Sequence, residues 1–319
     1  AFRRLEARDT RFFFNGADFY ARGINRHEDH PDDGPVFRRA VMDADMALIT
    51  ELGANFSRPG HYPNDVRVLR AFEERGILLA EEIPVYQWSQ GQMANPDMID
   101  RAQRALEAMI LRDYNRPAIV MWSVANEIHS WATTAPTFVQ ALYDTAKALD
   151  PARPVMVAAV SAPGMSEMDE SSGIVDVVGI NEYQGWYVET TADVAGWIGI
   201  LRELYPDRTV FISEYGAGAL LGRHQSEPPG EEPVNDHSYS EEYQAWFHDQ
   251  HITQFRSLDY VRGFMPWVFA DFRMQWTPNT GQPHPVERMN LKGLVSDDRQ
   301  RKLAFDTIQQ AFADIAAGE

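Results

Sequence analysis

Residues 97–127 read DMIDRAQRALEAMILRDYNRPAIVMWSVANE, and this stretch contains the helix–strand unit that indicates the fold of the whole chain. In its first part, Asp97–Tyr114, apolar residues recur every three or four positions, which is the period of one helix face. Ile119–Ser123 is a short apolar run, which is typical of a strand that is buried on both sides. An amphipathic helix followed directly by such a strand is the building unit of a parallel sheet.

The same alternation continues along the chain. The strand candidates are Phe19–Ile24, Ala54–Arg58, Ile77–Glu81, Ile119–Ser123, Val155–Val160, Val175–Asn181, Val210–Glu214 and Val261–Val268. The helical patterns are Val36–Leu52, Asp65–Arg75, Asp97–Tyr114, Pro136–Leu149, Ala192–Leu204, Glu241–Arg256 and Lys302–Phe312. Ser161–Ser172, where a fifth helix belongs, is rich in Ser, Gly and Met and has a weak helical pattern. Eight strand–helix units in about 300 residues predict an α/β fold, a single (β/α)8 barrel over residues 1–319.

Two long polar loops are predicted after the seventh and eighth strands, at Arg223–Ser238 and Phe272–Asn290. The catalytic face of a (β/α)8 barrel lies at the carboxyl ends of its strands, so both loops are expected on that face. For the acidic, proline-rich stretch Gln225–Asp236, a functional loop and a tolerated surface insertion both stay open.

Composition excludes several classes of function. The 319 residues include 29 basic and 47 acidic side chains, and the net charge of −18 argues against a basic surface for nucleic acid or anionic lipid. The absence of cysteine excludes disulfides, a thiolate nucleophile and a Cys-ligated zinc site. No apolar run of about 18 residues occurs, so no membrane span is expected. No charged-then-apolar leader is visible at Ala1, which favours the cytoplasm over secretion and leaves the compartment open.

Two predicted strands deliver a glutamate at their carboxyl ends. The fourth strand runs into Asn126 and Glu127, and the seventh strand ends at Glu214. Strands four and seven are three positions apart in a ring of eight, so their ends face each other across the barrel mouth. One such glutamate alone could cap a helix or form a salt bridge. Two facing carboxyl groups about 5–5.5 Å apart are what retaining glycoside hydrolysis requires, one as acid/base and one as nucleophile.

In the motifs around these two glutamates and along the rest of the barrel, the chain resembles glycoside hydrolase family 2, most closely the catalytic barrel of its β-glucuronidases. The matching motifs follow one another from strand one to strand eight: Arg22–Asp29 (RGINRHED), Ser57–Pro63 (SRPGHYP), Arg112–Pro117 (RDYNRP), Asn181–Tyr187 (NEYQGWY), Ser213–Gly216 (SEYG) and Trp267–Phe272 (WVFADF). The family's two N-terminal β-sandwich domains are missing from this sequence, so we expect a barrel-only member or an excised domain. Oligomeric assembly stays open.

The resemblance implies roles for the residues next to the cleaved bond. Glu127 would be the acid/base and Glu214 the nucleophile of a double displacement. Asn126 would bind the sugar 2-hydroxyl, a contact that strengthens in the transition state. Tyr183 would orient the nucleophile, and Trp267 would form the floor of the sugar subsite.

Further positions match the family less directly. Asp29 stands where the family contacts distal sugar hydroxyls, and Tyr187 is a further candidate for binding substrate. For Arg58, a place in the substrate site and a structural role inside the barrel, positioning Glu214 by its charge, are equally open.

The choice of sugar is predicted from residues 288–293, which read RMNLKG. This segment resembles the Asn-x-Lys element with which β-glucuronidases bind the sugar carboxylate, and Arg288 lies closer to Asn290 than in the enterobacterial pattern. An amide from Asn290 and an ammonium from Lys292 would pair with a C6 carboxylate. Lys292 is one of three lysines among the 29 basic residues, which favours a site that needs a compact ammonium.

No metal or other cofactor is expected. The large galactosidases of the family place a Glu-x-His magnesium pair after strand three, where this chain reads Glu81-Glu82-Ile83-Pro84 without a histidine. The spacing of His27, Glu28 and His30 fits a hydrogen-bonded loop better than a metal site.

The sequence therefore predicts an exo-acting, retaining β-glycosidase that cleaves terminal β-D-glucuronides, with carbohydrate as its only predicted partner. A β-galactosidase or another family 2 β-glycosidase stays open, because galactosidase-like members carry a similar Asn-x-Lys-Gly. A catalytically silent carbohydrate-binding barrel also stays open, although such a barrel has no use for two facing glutamates.

Overall fold

The computed structural model describes residues 3–226, 238–275, 277 and 284–318. Much of the predicted loop Arg223–Ser238, at 227–237, lies outside the described residues, as do 276 and 278–283 of Phe272–Asn290.

Helices and strands alternate through the described chain. The strands are β1 (Leu5–Arg8), β2 (Arg11–Phe14), β3 (Ala17–Phe19), β4 (Ala21–Arg26), β5 (Phe56–Pro59), β6 (Leu78–Glu82), β7 (Ile119–Asn126), β8 (Val155–Val160), β9 (Val177–Glu182), β10 (Thr209–Tyr215), β11 (Val261–Pro266), β12 (Phe272–Arg273) and β13 (Met289–Asn290). The α-helices are α1 (Arg39–Glu51), α2 (Val66–Glu74), α3 (Gln90–Met93), α4 (Pro96–Asp113), α5 (Ala135–Leu149), α6 (Val194–Leu204), α7 (Glu241–Ser257) and α8 (Leu303–Ala317). None of these helices is long and apolar enough to cross a lipid bilayer.

The strands from β4 to β11 are parallel and close into an eight-stranded barrel, in which β11 pairs with β4. The predicted (β/α)8 barrel is thereby confirmed. All eight residues of β7 are buried, as a strand with the barrel interior on one side and helices on the other requires. The fifth strand of the barrel, β8, is followed by two short 3-10 turns, Ser166–Met168 and Ser172–Ile174, in the region where the sequence has a weak helical pattern.

The first predicted strand, Phe19–Ile24, is wrong at its start. Phe19 belongs to β3 and pairs antiparallel with Phe12, and the barrel strand β4 begins only at Ala21. The apolar run is continuous across this boundary, so hydrophobicity alone does not separate the two strands.

A three-stranded antiparallel sheet, formed by β1, β2 and β3, covers the amino ends of the barrel strands. Thr209, at the start of β10, donates a hydrogen bond to the carbonyl of Arg11, and Arg262 in β11 forms an ion pair with Asp18. Phe12 is 1% exposed and packs edge to face on Phe211 at a ring distance of 5.8 Å. The barrel is thus closed at the end opposite its carboxyl-terminal mouth.

We expect Phe12→Ala to lower the free energy of unfolding by about 3–5 kcal/mol, because it opens a cavity against the barrel strands. Phe13 points to the other face of β2 and is only half-buried, so Phe13→Ala is the matched control, with a much smaller expected loss. Denaturant unfolding of both variants measures the difference. Equal losses would contradict the packing role assigned to Phe12.

Candidate active site

A cavity of about 790 Å³ opens at the carboxyl ends of the barrel strands. Seven of the predicted site residues line it: Glu127, Tyr183, Tyr187, Glu214, Trp267, Asn290 and Lys292. Two more, Arg58 and Asn126, are buried directly behind this surface and are bonded to its members. The barrel therefore brings together side chains that lie far apart in the sequence.

Glu127 is the first residue after β7, and its backbone turns sharply there with φ +49°. Its carboxylate accepts a hydrogen bond from Gln87 Nε2 at 2.9 Å and another from Asn181 Nδ2 at 3.0 Å. Gln87 also has a positive φ, of +52°. Non-glycine residues adopt this conformation at a cost, so the turn that aims the carboxylate is held by its surroundings.

Glu214 lies in β10 and is 4% exposed. Its Oε1 accepts from Arg58 Nη1 at 2.9 Å, and its Oε2 accepts from the Tyr183 hydroxyl at 3.0 Å. Burial raises the pKa of Glu214, an effect that the positive charge of Arg58 opposes. Both carboxylate oxygens are thus fixed by donors, a suitable arrangement for an oriented nucleophile.

Arg58 connects acidic and amide side chains from different strands. Its guanidinium donates to Glu82 Oε2 at 2.8 Å, to Glu214 Oε1 at 2.9 Å and to Asn126 Oδ1 at 2.6 Å. Burial alone would lower the pKa of Arg58, but the charges of Glu82 and Glu214 raise it above its usual value. Burial likewise acts to raise the pKa of Glu82, yet Arg58 and His61 lower it to about 2. Arg58 is therefore a buried charge that holds the Glu214 carboxylate in place.

Asn126 has a donor without a partner. Its Oδ1 accepts from Arg58 and, at 3.1 Å, from Asn181 Nδ2, which fixes the orientation of the amide. Its Nδ2 is buried and forms no hydrogen bond within the described part of the chain. A buried amide donor in this state is costly unless a ligand satisfies it, so Asn126 is suited to donate a hydrogen bond to a hydroxyl oxygen of a ligand.

Aromatic rings form one wall of the cavity. Trp267 stacks on the His61 ring at 4.9 Å, and Tyr86 also stacks on this imidazole at 4.9 Å. His61 is held in its plane by a hydrogen bond of 2.7 Å between Nδ1 and Glu82 Oε1. A fixed apolar ring surface of this kind matches the C–H face of a sugar.

Lys292 is 3% exposed and lies among three aromatic rings. Its ammonium is 4.3 Å from the ring centre of Tyr187, 5.3 Å from Tyr183 and 5.5 Å from Trp186, and it donates to the Tyr187 hydroxyl. No carboxylate of the described residues pairs with it. Burial lowers the pKa of Lys292 to about 7, against the opposing effect of Glu214 and Glu127. A buried cation without an anion is expected to bind an anionic group of a ligand.

The last two predicted site residues, Asp29 and Arg288, neither line the cavity nor bond to Glu127 or Glu214. Both carboxylate oxygens of Asp29 are bonded to Arg273, and Asp29 lines a separate pocket of about 430 Å³ beside the cavity. Arg288 is exposed, and its backbone N–H donates to Thr277 Oγ1 at 3.0 Å. Their assignment to substrate binding stays a prediction.

Several residues of the site were not singled out from the sequence. Asn181 bridges Glu127 and Asn126, Gln87 bonds Glu127, and His61 and Glu82 support Arg58. Asn181 and His61 lie within the motifs quoted above, which is the only sequence signal that marks them.

No group of His, Asp or Glu side chains able to hold a metal ion occurs in the ranges that the structure describes. The Tyr62 hydroxyl lies 3.1 Å from His27 Nδ1 and accepts from the Glu28 N–H at 3.0 Å, so the segment after β4 is a hydrogen-bonded loop.

Comparison with known proteins finds relatives in sequence and solved structures of the same fold. The β-glucuronidase of Chlorocebus aethiops is 30% identical over 98% of this chain and 47% of its own length. A β-galacturonidase of family 2 from Eisenbergiella tayi, solved with galacturonate bound, superposes with a TM-score of 0.87 at 29% identity, over 98% of this chain and 54% of that one. The β-glucuronidase of Bifidobacterium dentium, in complex with coumarin-3-O-glucuronide, superposes with a TM-score of 0.86 at 30% identity, over 98% and 49%.

The chain spans about half the length of these relatives. Over that part, residues 5–317 match the family described as glycosyl hydrolases family 2, TIM barrel domain. This chain therefore belongs to glycoside hydrolase family 2.

Proposed function

We propose that this barrel catalyses the hydrolysis of terminal β-D-glucuronides with retention of configuration. The observation that carries the proposal is the buried, unpaired ammonium of Lys292 in the same cavity as Glu127 and Glu214. A neutral sugar offers this ammonium no counter-charge, whereas the C6 carboxylate of a uronide does. The relatives named β-glucuronidase support the same choice.

In the first step, Glu214 attacks the anomeric carbon while Glu127 gives its proton to the glycosidic oxygen, so that the aglycone leaves as an alcohol. In the second step, Glu127 takes a proton from water, and the oxygen of that water displaces Glu214 from the anomeric carbon. Each step inverts the anomeric carbon, which gives net retention. Asn126 binds the 2-hydroxyl through its free N–H, and Trp267 supports the ring from below.

A β-galacturonidase is the second candidate, favoured by the superposition on the galacturonate complex. Galacturonate and glucuronate both carry a C6 carboxylate and differ only at C4, so contacts of Lys292 and Asn290 with the carboxylate serve both. Residues that face C4 must make the distinction.

The test is a panel of 4-nitrophenyl β-glycosides: glucuronide, galacturonide, galactoside and glucoside. We expect the two uronides to be cleaved far faster than the neutral sugars, and the glucuronide fastest. NMR of the first product should show the β-anomer. Faster cleavage of the galactoside would replace the proposal by a galactosidase, and binding without turnover would indicate a silent barrel.

We expect the preference for uronides to depend on pH. Because burial lowers the pKa of Lys292 to about 7, this side chain is charged below that pH and increasingly neutral above it, while the uronate stays ionised. The ratio of kcat/KM for glucuronide to that for glucoside should thus be highest below about pH 7 and decline above it. A pH effect on the chemical step that is common to both substrates cancels in the ratio.

The ratio is measured from about pH 5.5 to about pH 8.5 in the wild type and in Lys292→Arg, whose guanidinium stays charged throughout this range. A ratio in the wild type that does not change over this range would contradict the expected titration of Lys292.

A further inference from the structure

The backbone segment around Lys292 is bonded to the segments that follow the barrel strands β10 and β11. The Leu291 carbonyl accepts from the Ala219 N–H at 2.9 Å, and the Lys292 carbonyl accepts from the Val268 N–H at 3.1 Å. Gly293 has no room for a side chain, because an added Cβ would lie 2.3 Å from both Asp271 N and Val295 O. Lys292 therefore extends from a backbone whose position is closely defined.

A second lysine, Lys302, lies behind this segment. It precedes α8, and its side chain is buried. Its ammonium donates to Asp271 Oδ1 at 2.7 Å, to the Ala219 carbonyl at 2.7 Å and to the Leu291 carbonyl at 3.1 Å. An ammonium has three donors, and all three are used here. Lys302 thus holds the residue before Lys292.

Asp271 holds the residue after it. The same Oδ1 that accepts from Lys302 also accepts from the Gly293 N–H at 2.8 Å. The buried pair of Asp271 and Lys302 consequently fixes both chain neighbours of Lys292. Neither side chain lines the cavity, and the Lys302 ammonium has no donor left for a sugar.

We propose that Asp271 and Lys302 are positioning residues for uronate recognition, which keep the Lys292 ammonium where the C6 carboxylate of the substrate binds. The inference rests on the proposed function. A buried ion pair is a weak source of stability, because removing two charges from water offsets most of their attraction. A rigid placement of Lys292, by contrast, requires directed bonds of the kind that this pair makes.

The test compares Lys302→Met with the wild type on 4-nitrophenyl β-glucuronide and β-glucoside. We expect the ratio of kcat/KM for the uronide to that for the glucoside to fall on the order of tenfold, mainly through KM, with the glucoside little changed. The matched control is Arg26→Met, which breaks another buried ion pair, with Asp45 at 2.8 Å, away from the cavity. The control should leave the ratio unchanged.

A double-mutant cycle shows whether Lys302 acts through Lys292. In a Lys292→Met background, the further change Lys302→Met should leave the ratio where Lys292→Met alone puts it, because no ammonium is left to position. Where Lys302→Met alone fails to fold, Asp271→Asn combined with Lys302→Met leaves no unpaired buried charge and serves in its place.

Equal losses on both substrates, or an unchanged ratio in a folded variant, would overturn the positioning role and leave the proposed function intact. A further drop of the ratio in the Lys292→Met background would also overturn it. A wild type without preference for the uronide would instead overturn the proposed function, and this inference with it.

Discussion

Glu214→Gln is expected to lower kcat on β-glucuronides on the order of 10⁴-fold or more, because no nucleophile then remains to form the glycosyl-enzyme. Arg58 and Tyr183 hold both oxygens of the native carboxylate, so an amide of the same shape should disturb the barrel little. The loss should be the same for every leaving group, since attack on the anomeric carbon is missing in all cases.

Glu127→Gln should differ from Glu214→Gln in how its loss of activity depends on the leaving group. Loss of general acid/base catalysis costs about 10²–10⁴-fold for a poor leaving group. With a 2,4-dinitrophenyl leaving group, which needs no proton, the first step should recover, and a burst of dinitrophenol should precede slow hydrolysis of the intermediate.

Glu182→Gln is the matched control for both. Glu182 also ends a barrel strand and is buried, and burial raises its pKa to about 7. It bonds Ser161 and the Gln184 N–H and does not line the cavity, so its amide variant should keep kcat near that of the wild type. Near-native activity of Glu127→Gln or Glu214→Gln, with thermal unfolding unchanged, would contradict their assigned roles.

Lys292→Ala is expected to cost roughly 2–4 kcal/mol, or about 30- to 1000-fold, in kcat/KM for the glucuronide, because the substrate carboxylate would be partly buried without a cation. The β-glucoside has a neutral hydroxymethyl group at this position, so its cleavage should barely change. The ratio between the two substrates is the decisive measurement, since general damage to the barrel would lower both.

Lys147→Ala is the control for the removal of a lysine. Lys147 pairs with Asp176 on the outside of the barrel, and neither rate should change. An equal loss on both substrates in Lys292→Ala would refute uronate recognition by Lys292 and leave only the broader β-glycosidase proposal.

The barrel and its two strand-end glutamates were predictable because they depend on short, local patterns. A buried apolar run followed by Asn126 and Glu127 marks a strand and its carboxyl end. Eight strand–helix units of this kind are typical of a (β/α)8 barrel. The sheet at the amino ends was missed, although Asn15-Gly16 between apolar runs is a strong hairpin signal. Both residues adopt positive φ, as such a turn requires.

The hydrogen bonds that hold the site side chains were harder to predict from the sequence, because they join residues that only barrel closure brings together. Nothing local in the sequence pairs Arg58 with Glu214, 156 positions away, or Asn181 with Glu127, 54 positions away. Local spacing also misleads in places: Arg288 stands two residues before Asn290 and yet is exposed outside the cavity. Chain proximity does not decide which way a side chain points at the end of a strand.

The arrangement around Arg58 bears on how this barrel could be redesigned. One guanidinium holds Glu214 and Asn126. Under the proposed mechanism, the nucleophile and the contact with the 2-hydroxyl therefore have to be inherited together. Lys292 is fixed by separate bonds, from the segment after β11 and from Lys302, the residue before α8. A laboratory selection for activity on a new sugar should therefore accumulate substitutions around residues 268–302 and leave Arg58 and its partners unchanged.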